Sequence, residues 1–224
     1  MIMEARGEKY IHALIAQGEH LQLDFKFEIS DARKIARTLS AFSNTAGGRL
    51  LVGVKDNGRI SGVRSEEEFY MVESAASLYC KPEVQFTSQI YTVEGKNVLE
   101  VYIPEVDIKP VYARDERNRW MAYTRIADEN ILANVVQVRI WNGQQDTGEE
   151  DVKERLLEYT RKEKILLSTL EQIPGAGLTR LGRDTGFKRK ELVSLMTKLV
   201  RFDVVEIIMT EGSSGFRLKE KPGE

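Results

Sequence analysis

The sequence predicts an α+β protein: a mixed-sheet domain over residues 1–141, then a smaller helical domain closed by a hairpin over 151–224. Three observations predict it. Ser40 to Val63 reads as a helix end, a glycine turn, a buried strand and a tight turn. Two later runs, 84–91 and 97–103, alternate like strands and flank the turn Glu94-Gly95-Lys96. The last 70 or so residues run helix, helix, turn, helix, strand, loop, strand.

In chain order, Lys9 to Gln17 predicts a short helix with Ile11, Leu14 and Ile15 on one face, ended by Gly18. Leu21 to Phe27 alternates apolar and polar residues, predicting a half-buried strand whose wet face carries Asp24 and Lys26. Ser30 or Asp31 can cap a helix over 32–42, because a short polar side chain there accepts from the first free N–H groups. Its Arg33, Lys34 and Arg37 read as a solvated face or a modest basic surface. Asn44 reads as a helix-ending residue, and Gly47-Gly48 as a turn needing positive φ.

Leu50 to Val54 is a continuous apolar run, which predicts a strand covered on both faces. Asp56-Asn57-Gly58 is hairpin-turn chemistry leading to a second short strand, 60–63. Gly53, inside the first strand, marks either close packing of helix on sheet or a surface where a ligand or partner backbone comes near. Ser65 to Glu68 opens a helix reaching about Tyr79, its acids favourably placed at the positive end of the helix dipole. Lys109 to Arg114 and Trp120 to Asn130 follow, separated by a polar loop, then a closing helix is expected over 130–141. Residues 142–150 lack apolar periodicity and read as a linker.

In the second domain, 151–172 predicts a long amphipathic helix broken by Pro174-Gly175-Ala176-Gly177. A short helix over 179–184, a turn at Thr185-Gly186-Phe187 and a helix over 188–202 follow, then strands at 204–210 and 215–218.

Composition narrows the function. The net charge is −2, so bulk electrostatics neither draws the protein to a polyanion nor forbids one. The charge is unevenly spread: residues 179–201 hold seven basic and two acidic side chains. One cysteine, Cys80, excludes an internal disulfide, and with only His12 and His20 beside it a zinc centre is not expected. No apolar run reaches membrane-spanning length and the start lacks a signal-peptide core, so no membrane partner and a cytoplasmic location are expected. No Ser/His/Asp set stands out, and the aromatic residues form no evident stacking ladder.

Several linked motifs carry a family resemblance. Leu23-Asp24-Phe25-Lys26 precedes a helix ending Ala41-Phe42-Ser43-Asn44-Thr45-Ala46-Gly47-Gly48, then Leu50-Leu51-Val52-Gly53-Val54, Asp56-Asn57-Gly58 and Gly62-Val63. Over about 18–134 this resembles the Schlafen-type AlbA-like domain, called "divergent AAA" in bacteria, which is associated with nucleic-acid binding. The chain has no G-x-x-x-x-G-K-[ST] phosphate loop, so ATPase chemistry is not implied. Residues 160–219 are similar in order to a winged helix-turn-helix.

The two resemblances imply candidate sites. A winged helix presents the N-terminal end of its recognition helix to the DNA major groove, here Lys188, Arg189 and Lys190, with Arg180 and Arg183 nearby. Three cations at a helix N-terminus run against the dipole, which a partner phosphate offsets. The alternative is a solvated basic face on a domain used for protein contacts. In the family a strand Tyr-x-Arg carries Arg125, either a phosphate contact or an edge arginine paired to a carboxylate; Lys26 is a further phosphate candidate. Some Schlafens are endoribonucleases using three carboxylates, which match Glu19, Asp24 and Asp56 here, with Asp24 where that pattern has Glu. Such a set implies Mg²⁺ or Mn²⁺, hard cations taking oxygen ligands; otherwise no cofactor is expected. The alternative reading is a turn aspartate and ordinary surface pairs. The expectation is a protein that binds duplex DNA and regulates transcription. Alternatives are a metal-dependent endoribonuclease acting on RNA and an interaction module without nucleic acid. A homodimer through residues 1–140 is expected, since the animal proteins carry two facing copies of the domain and this chain has one.

Overall fold

The computed structural model describes residues 2–63, 66–144, 160–210 and 213–219. The chain divides into two compact units, Met1–Ala133 and Asn134–Glu224.

Unit 1 is built around one buried helix, α2 (Ala32–Asn44). Asp31 caps it by accepting from the Arg33 N–H, as its residue type predicts. Ile35, Leu39 and Phe42 pack on one side against β2 (Gly48–Val52) and β5 (Lys96–Ile103) and on the other against β6 (Tyr112–Arg114). A helix held between two sheets is buried nearly all round, so its last turn carries the small or polar residues Ser40, Ala41, Ser43 and Asn44.

The first sheet runs β1 (Leu23–Lys26), β2, β5, β4 (Thr87–Val93), with β1 parallel to β2 and the rest antiparallel. α1 (Ile2–Ile15) covers its other face, with Ile11 packed among Leu23, Phe25, Leu51, Val93 and Val98. Cover on both faces accounts for the unbroken apolar run of β2. The second sheet orders β3 (Cys80–Lys81), β6, β7 (Trp120–Ile126) and β8 (Glu129–Leu132), all antiparallel. α3 (Glu67–Leu78) packs on α2. Cys80 is buried, and burial pushes its thiol up to about 12, so it is a protonated core side chain at neutral pH.

Several expectations are corrected. The first helix begins at Ile2 rather than Lys9. β1 is shorter than 21–27 and buried on both faces, because α1 and the second sheet close over it, leaving Leu21 and Phe27 exposed. The expected strand at 60–63 is a single bridge, Val54 to Ile60. The strand expected at 84–91 lies at 87–93. Residues 129–132 form β8, not the start of a helix; the helix, α4 (Val135–Gln144), follows. Only Gly47 of the Gly47-Gly48 pair has positive φ; Gly48 is required by space, since a Cβ there would meet the Phe42 ring at 2.3 Å. Gly53 serves a close approach of the chain's own backbone: its Cβ would lie 2.9 Å from Gly62.

Unit 2 begins with α4 and so takes in residues that the sequence placed before the linker: Val136 shares the unit 2 core. The part of the expected linker and helix at 145–159 lies outside the described residues. α5 (Arg161–Gln172) starts with a capping box, in which the Thr160 hydroxyl accepts from Glu163 N–H and the Glu163 carboxylate accepts from Thr160 N–H. α6 (Leu178–Thr185) ends at Gly186, φ 74°. α7 (Arg189–Arg201) leads to the antiparallel pair β9 (Val205–Thr210) and β10 (Ser213–Leu218). Leu166, Leu170, Leu181, Leu192, Met196, Leu199 and Phe216 fill the core. Ala176, after α5, bridges to Phe216 of β10.

Candidate nucleic-acid interface

α7 follows α6 after a three-residue turn, so the N-terminal end of α7 and the outer face of α6 share a surface. Arg183, Lys188, Arg189 and Lys190 are all exposed there, and none has an ion-pair partner among the described residues. Arg180 is exposed and 3.7 Å from Asp184. The remaining cations of this unit that pair do so within it. Lys162 pairs with Glu191, Lys198 with Glu163 at 2.8 Å, Arg217 with Glu206, and Lys219 with Asp203 at 2.6 Å. Burial raises the Glu163 carboxyl, but hydrogen bonds from Lys198 and Thr160 outweigh that and hold it below the usual carboxylate range. Glu191 and Glu163 are thereby turned to α5 and α7 contacts, leaving the N-terminal end of α7 with uncompensated positive charge.

In unit 1 the sequence-predicted residues meet differently. Arg125 on β7 has a fully buried side chain. Its guanidinium donates to the carbonyls of His20 and Leu23, to Asn130 Oδ1 and to Asp24 Oδ1 at 3.1, 3.1, 2.8 and 3.2 Å. It also stacks 4.7 Å above the Phe42 ring. Each guanidinium nitrogen donates within unit 1, so Arg125 joins β7 to β1 and is paired to a carboxylate. Asp24, 3% exposed, also lies 2.7 Å from Lys26 Nζ, so the charge of Lys26 is committed as well.

The three carboxylates do not converge. Glu19 is brought to Asp24; its Oε1 accepts from the Phe25 N–H at 2.8 Å. Asp56 is exposed in the turn after β2, and among the described residues no three His, Cys, Asp or Glu side chains gather as a metal-binding group. Asp24 already lies against two cations, Lys26 and Arg125.

Burial raises the Glu19 carboxyl and the neighbouring Asp24 adds to this, partly opposed by the Phe25 N–H. A carboxyl raised on folding keeps its proton to higher pH in the native state, so stability falls as pH rises from the ordinary carboxylate range through the folded pKa. Glu19→Gln keeps the acceptor and removes the titration. Urea unfolding across pH 4 to 7 is expected to show a smaller alkaline-side loss in the variant; parallel curves would contradict this origin.

The sequence reading missed two features. Asn44 does not simply end a helix; it is a buried junction between α2 and the second sheet. Arg33 and Arg37, one helical turn apart on α2, lie over the rings of Tyr79 and Tyr123 at 5.5 and 6.0 Å, and Arg114 lies over Trp120 at 5.9 Å. The i, i+4 spacing was visible; the ring partners, 46 to 86 residues away in the chain for α2, were not.

Comparison with known proteins adds the lineage. No curated protein matches the chain. Among solved structures, the DIP2311 protein of Corynebacterium diphtheriae is similar with a TM-score of 0.44 and 17% identity, over 79% of this chain and 32% of its own. This chain therefore spans about a third of that protein's length. The N-terminal domain of a RecG-related protein from Nitrosomonas europaea is similar with a TM-score of 0.41 and 22% identity, over 69% of this chain and 97% of its own. Among the described residues no helix is long and apolar enough to cross a membrane. The family model for Schlafen, AlbA_2 matches residues 19–134, more than half of the sequence and nearly the whole of unit 1 after its first helix, and the chain belongs to that family.

Proposed function

We propose that the protein binds duplex DNA through unit 2, used as a winged helix, and regulates transcription. One observation carries the reading: Arg183, Lys188, Arg189 and Lys190 stand exposed and unneutralised on one surface, while the wing cations Arg217 and Lys219 are paired. The order α5, Ala176 bridge, α6, α7, β9, β10 supports it, because in this reading the two-stranded β9–β10 hairpin, bridged by Ala176, serves as the wing and α7 as the recognition helix. Membership of the Schlafen AlbA_2 family supports a nucleic-acid partner.

In this reading Lys188 and Arg183 neutralise phosphates, and Arg189 and Lys190, on the first turn of α7, reach base edges or the flanking backbone. α4 packs on α7, and Leu192 and Val193 are buried, so the exposed first turn with Arg189 and Lys190 is the part of α7 offered to a groove.

Fluorescence anisotropy of the full chain with a labelled duplex at several salt concentrations tests it. Each lost phosphate contact lowers the salt slope by about one unit. Lys188→Ala, Arg189→Ala and Lys190→Ala together are expected to lower it by about 2–3, with a large loss of affinity at low salt. A triple variant that binds like the wild type would sink the proposal and leave unit 2 as a protein-contact domain.

A further inference from the structure

The two sheets of unit 1 end in four edge strands, and three are guarded. β1 has four residues and carries Asp24 and Lys26. β3 has two residues, one of them Lys81, and Pro82 follows. β8 has four residues and begins with Glu129. Short length, charge and proline are the ordinary protections of an edge. β4 has none of them. It is seven residues long, Thr-Ser-Gln-Ile-Tyr-Thr-Val, without a charge, proline or glycine. Thr87, Ser88, Gln89, Ile90 and Thr92 are exposed, and Ile90 at the middle of the strand is 54% exposed. Among the described residues no strand lies on its outer side.

The register of β4 fixes which backbone groups face outward. Glu94 and Gly95, both with positive φ, form a two-residue turn, so Val93 and Lys96 are the closing hydrogen-bonded pair. Hydrogen-bonded pairs alternate along an antiparallel ladder. Tyr91, Gln89 and Thr87 therefore turn their N–H and C=O groups to β5. Ser88, Ile90 and Thr92 turn theirs outward, away from the sheet.

We propose that β4 is the seam of a homodimer, in which β4 of two chains pair antiparallel about a two-fold axis at Ile90 and join two four-stranded sheets into one. A two-fold interface requires a patch complementary to itself. About Ile90 the strand has that property. Ile90 faces the partner subunit's Ile90, and Ser88 faces the partner subunit's Thr92. β-Branched pairs and Ser–Thr pairs are favourable cross-strand neighbours. No like charges meet, because the strand has none. The outward groups of Ser88, Ile90 and Thr92 gain strand partners that no described residue of the isolated chain supplies. The inference is independent of the DNA reading, since it uses no residue of unit 2.

Two variants of the full chain test it. Ile90→Lys places two like charges face to face on the axis while disturbing only an exposed side chain. Ile90→Cys places two thiols across a hydrogen-bonded pair with Cα atoms about 5.5 Å apart, within disulfide reach. The buried Cys80 does not compete. Sedimentation from about 1 to 100 μM is expected to show a concentration-dependent dimer for the wild type and a monomer for Ile90→Lys with an unchanged circular-dichroism spectrum. Ile90→Cys is expected to give a disulfide-linked dimer without reductant. A wild type that is monomeric throughout, or a dimer that survives Ile90→Lys, would overturn the seam. Absence of cross-linking in Ile90→Cys would overturn the register, and decides the matter should the lysine variant not fold.

Discussion

Arg125→Ala is expected to lower the stability of the protein by about 3–5 kcal/mol, the cost of breaking a buried ion pair from one side. Global stabilities are themselves only about 5–15 kcal/mol, so the variant sits near the limit of folding. The reason lies in what the guanidinium holds. It satisfies two carbonyls near the start of β1, the Asn130 amide and the Asp24 carboxylate, and fills the space above Phe42. Truncation leaves Asp24 with Lys26 as its remaining cation and opens a void against an aromatic ring. Arg125→Lys keeps the charge but not the planar fork, and is expected to lose about 2 kcal/mol. Urea midpoints measure both. If Arg125→Ala unfolds within about 1 kcal/mol of the wild type, the guanidinium is not the junction described here.

Asn44→Ala is expected to cost about 3–4 kcal/mol, by orphaning several buried backbone groups at about 1–3 kcal/mol each. The Asn44 amide treats Val111 as a neighbouring strand would. Its Oδ1 accepts from Val111 N–H at 2.7 Å, and its Nδ2 donates to the Val111 and Tyr123 carbonyls at 2.8 and 2.9 Å. One side chain thus joins the end of α2 to β7 and to the residue just before β6. Asn44→Asp keeps the acceptor and loses both donors, and its charge faces two carbonyls. It is expected to be at least as unstable at neutral pH and to recover in part on acidification, when the carboxyl regains one donor. Equal stability of wild type and Asn44→Ala in chemical denaturation would show that water replaces the amide.

These residues mark the limit of what the sequence discloses. β2 was legible because an apolar run is a local signal, and α7 because Leu192, Met196 and Leu199 recur at helical spacing. The β4–β5 turn was legible from Glu94-Gly95. By contrast, β8 reads like a helix because Ile131, Val135 and Val138 fall near a helical period, and only pairing with β7 makes its first part a strand. Asp24 and Arg125 are charged, so residue type placed them in water; their contact spans 101 positions and nothing local announces it. The same holds for the carboxylates, whose linked motif signals family membership without showing whether Asp56 reaches the other two. The basic cluster of unit 2 was legible as composition, and its lack of internal partners became visible only with the side chains in place.

The ion pairs Lys162–Glu191 and Glu163–Lys198 tie the first turn of α5 to two points along α7. Their consequence is entropic. A helix braced at two points and packed through Leu192, Met196 and Leu199 keeps little orientational freedom for a partner to remove. Under the proposed DNA reading, a polyanion arriving at its N-terminal end would meet charges already in place. The entropy released as counterions leave the phosphates is then offset by little ordering of the protein, apart from the long side chains themselves. The brace thus separates two quantities that coupled folding and binding would mix: the number of phosphates touched and the cost of organising the surface that touches them.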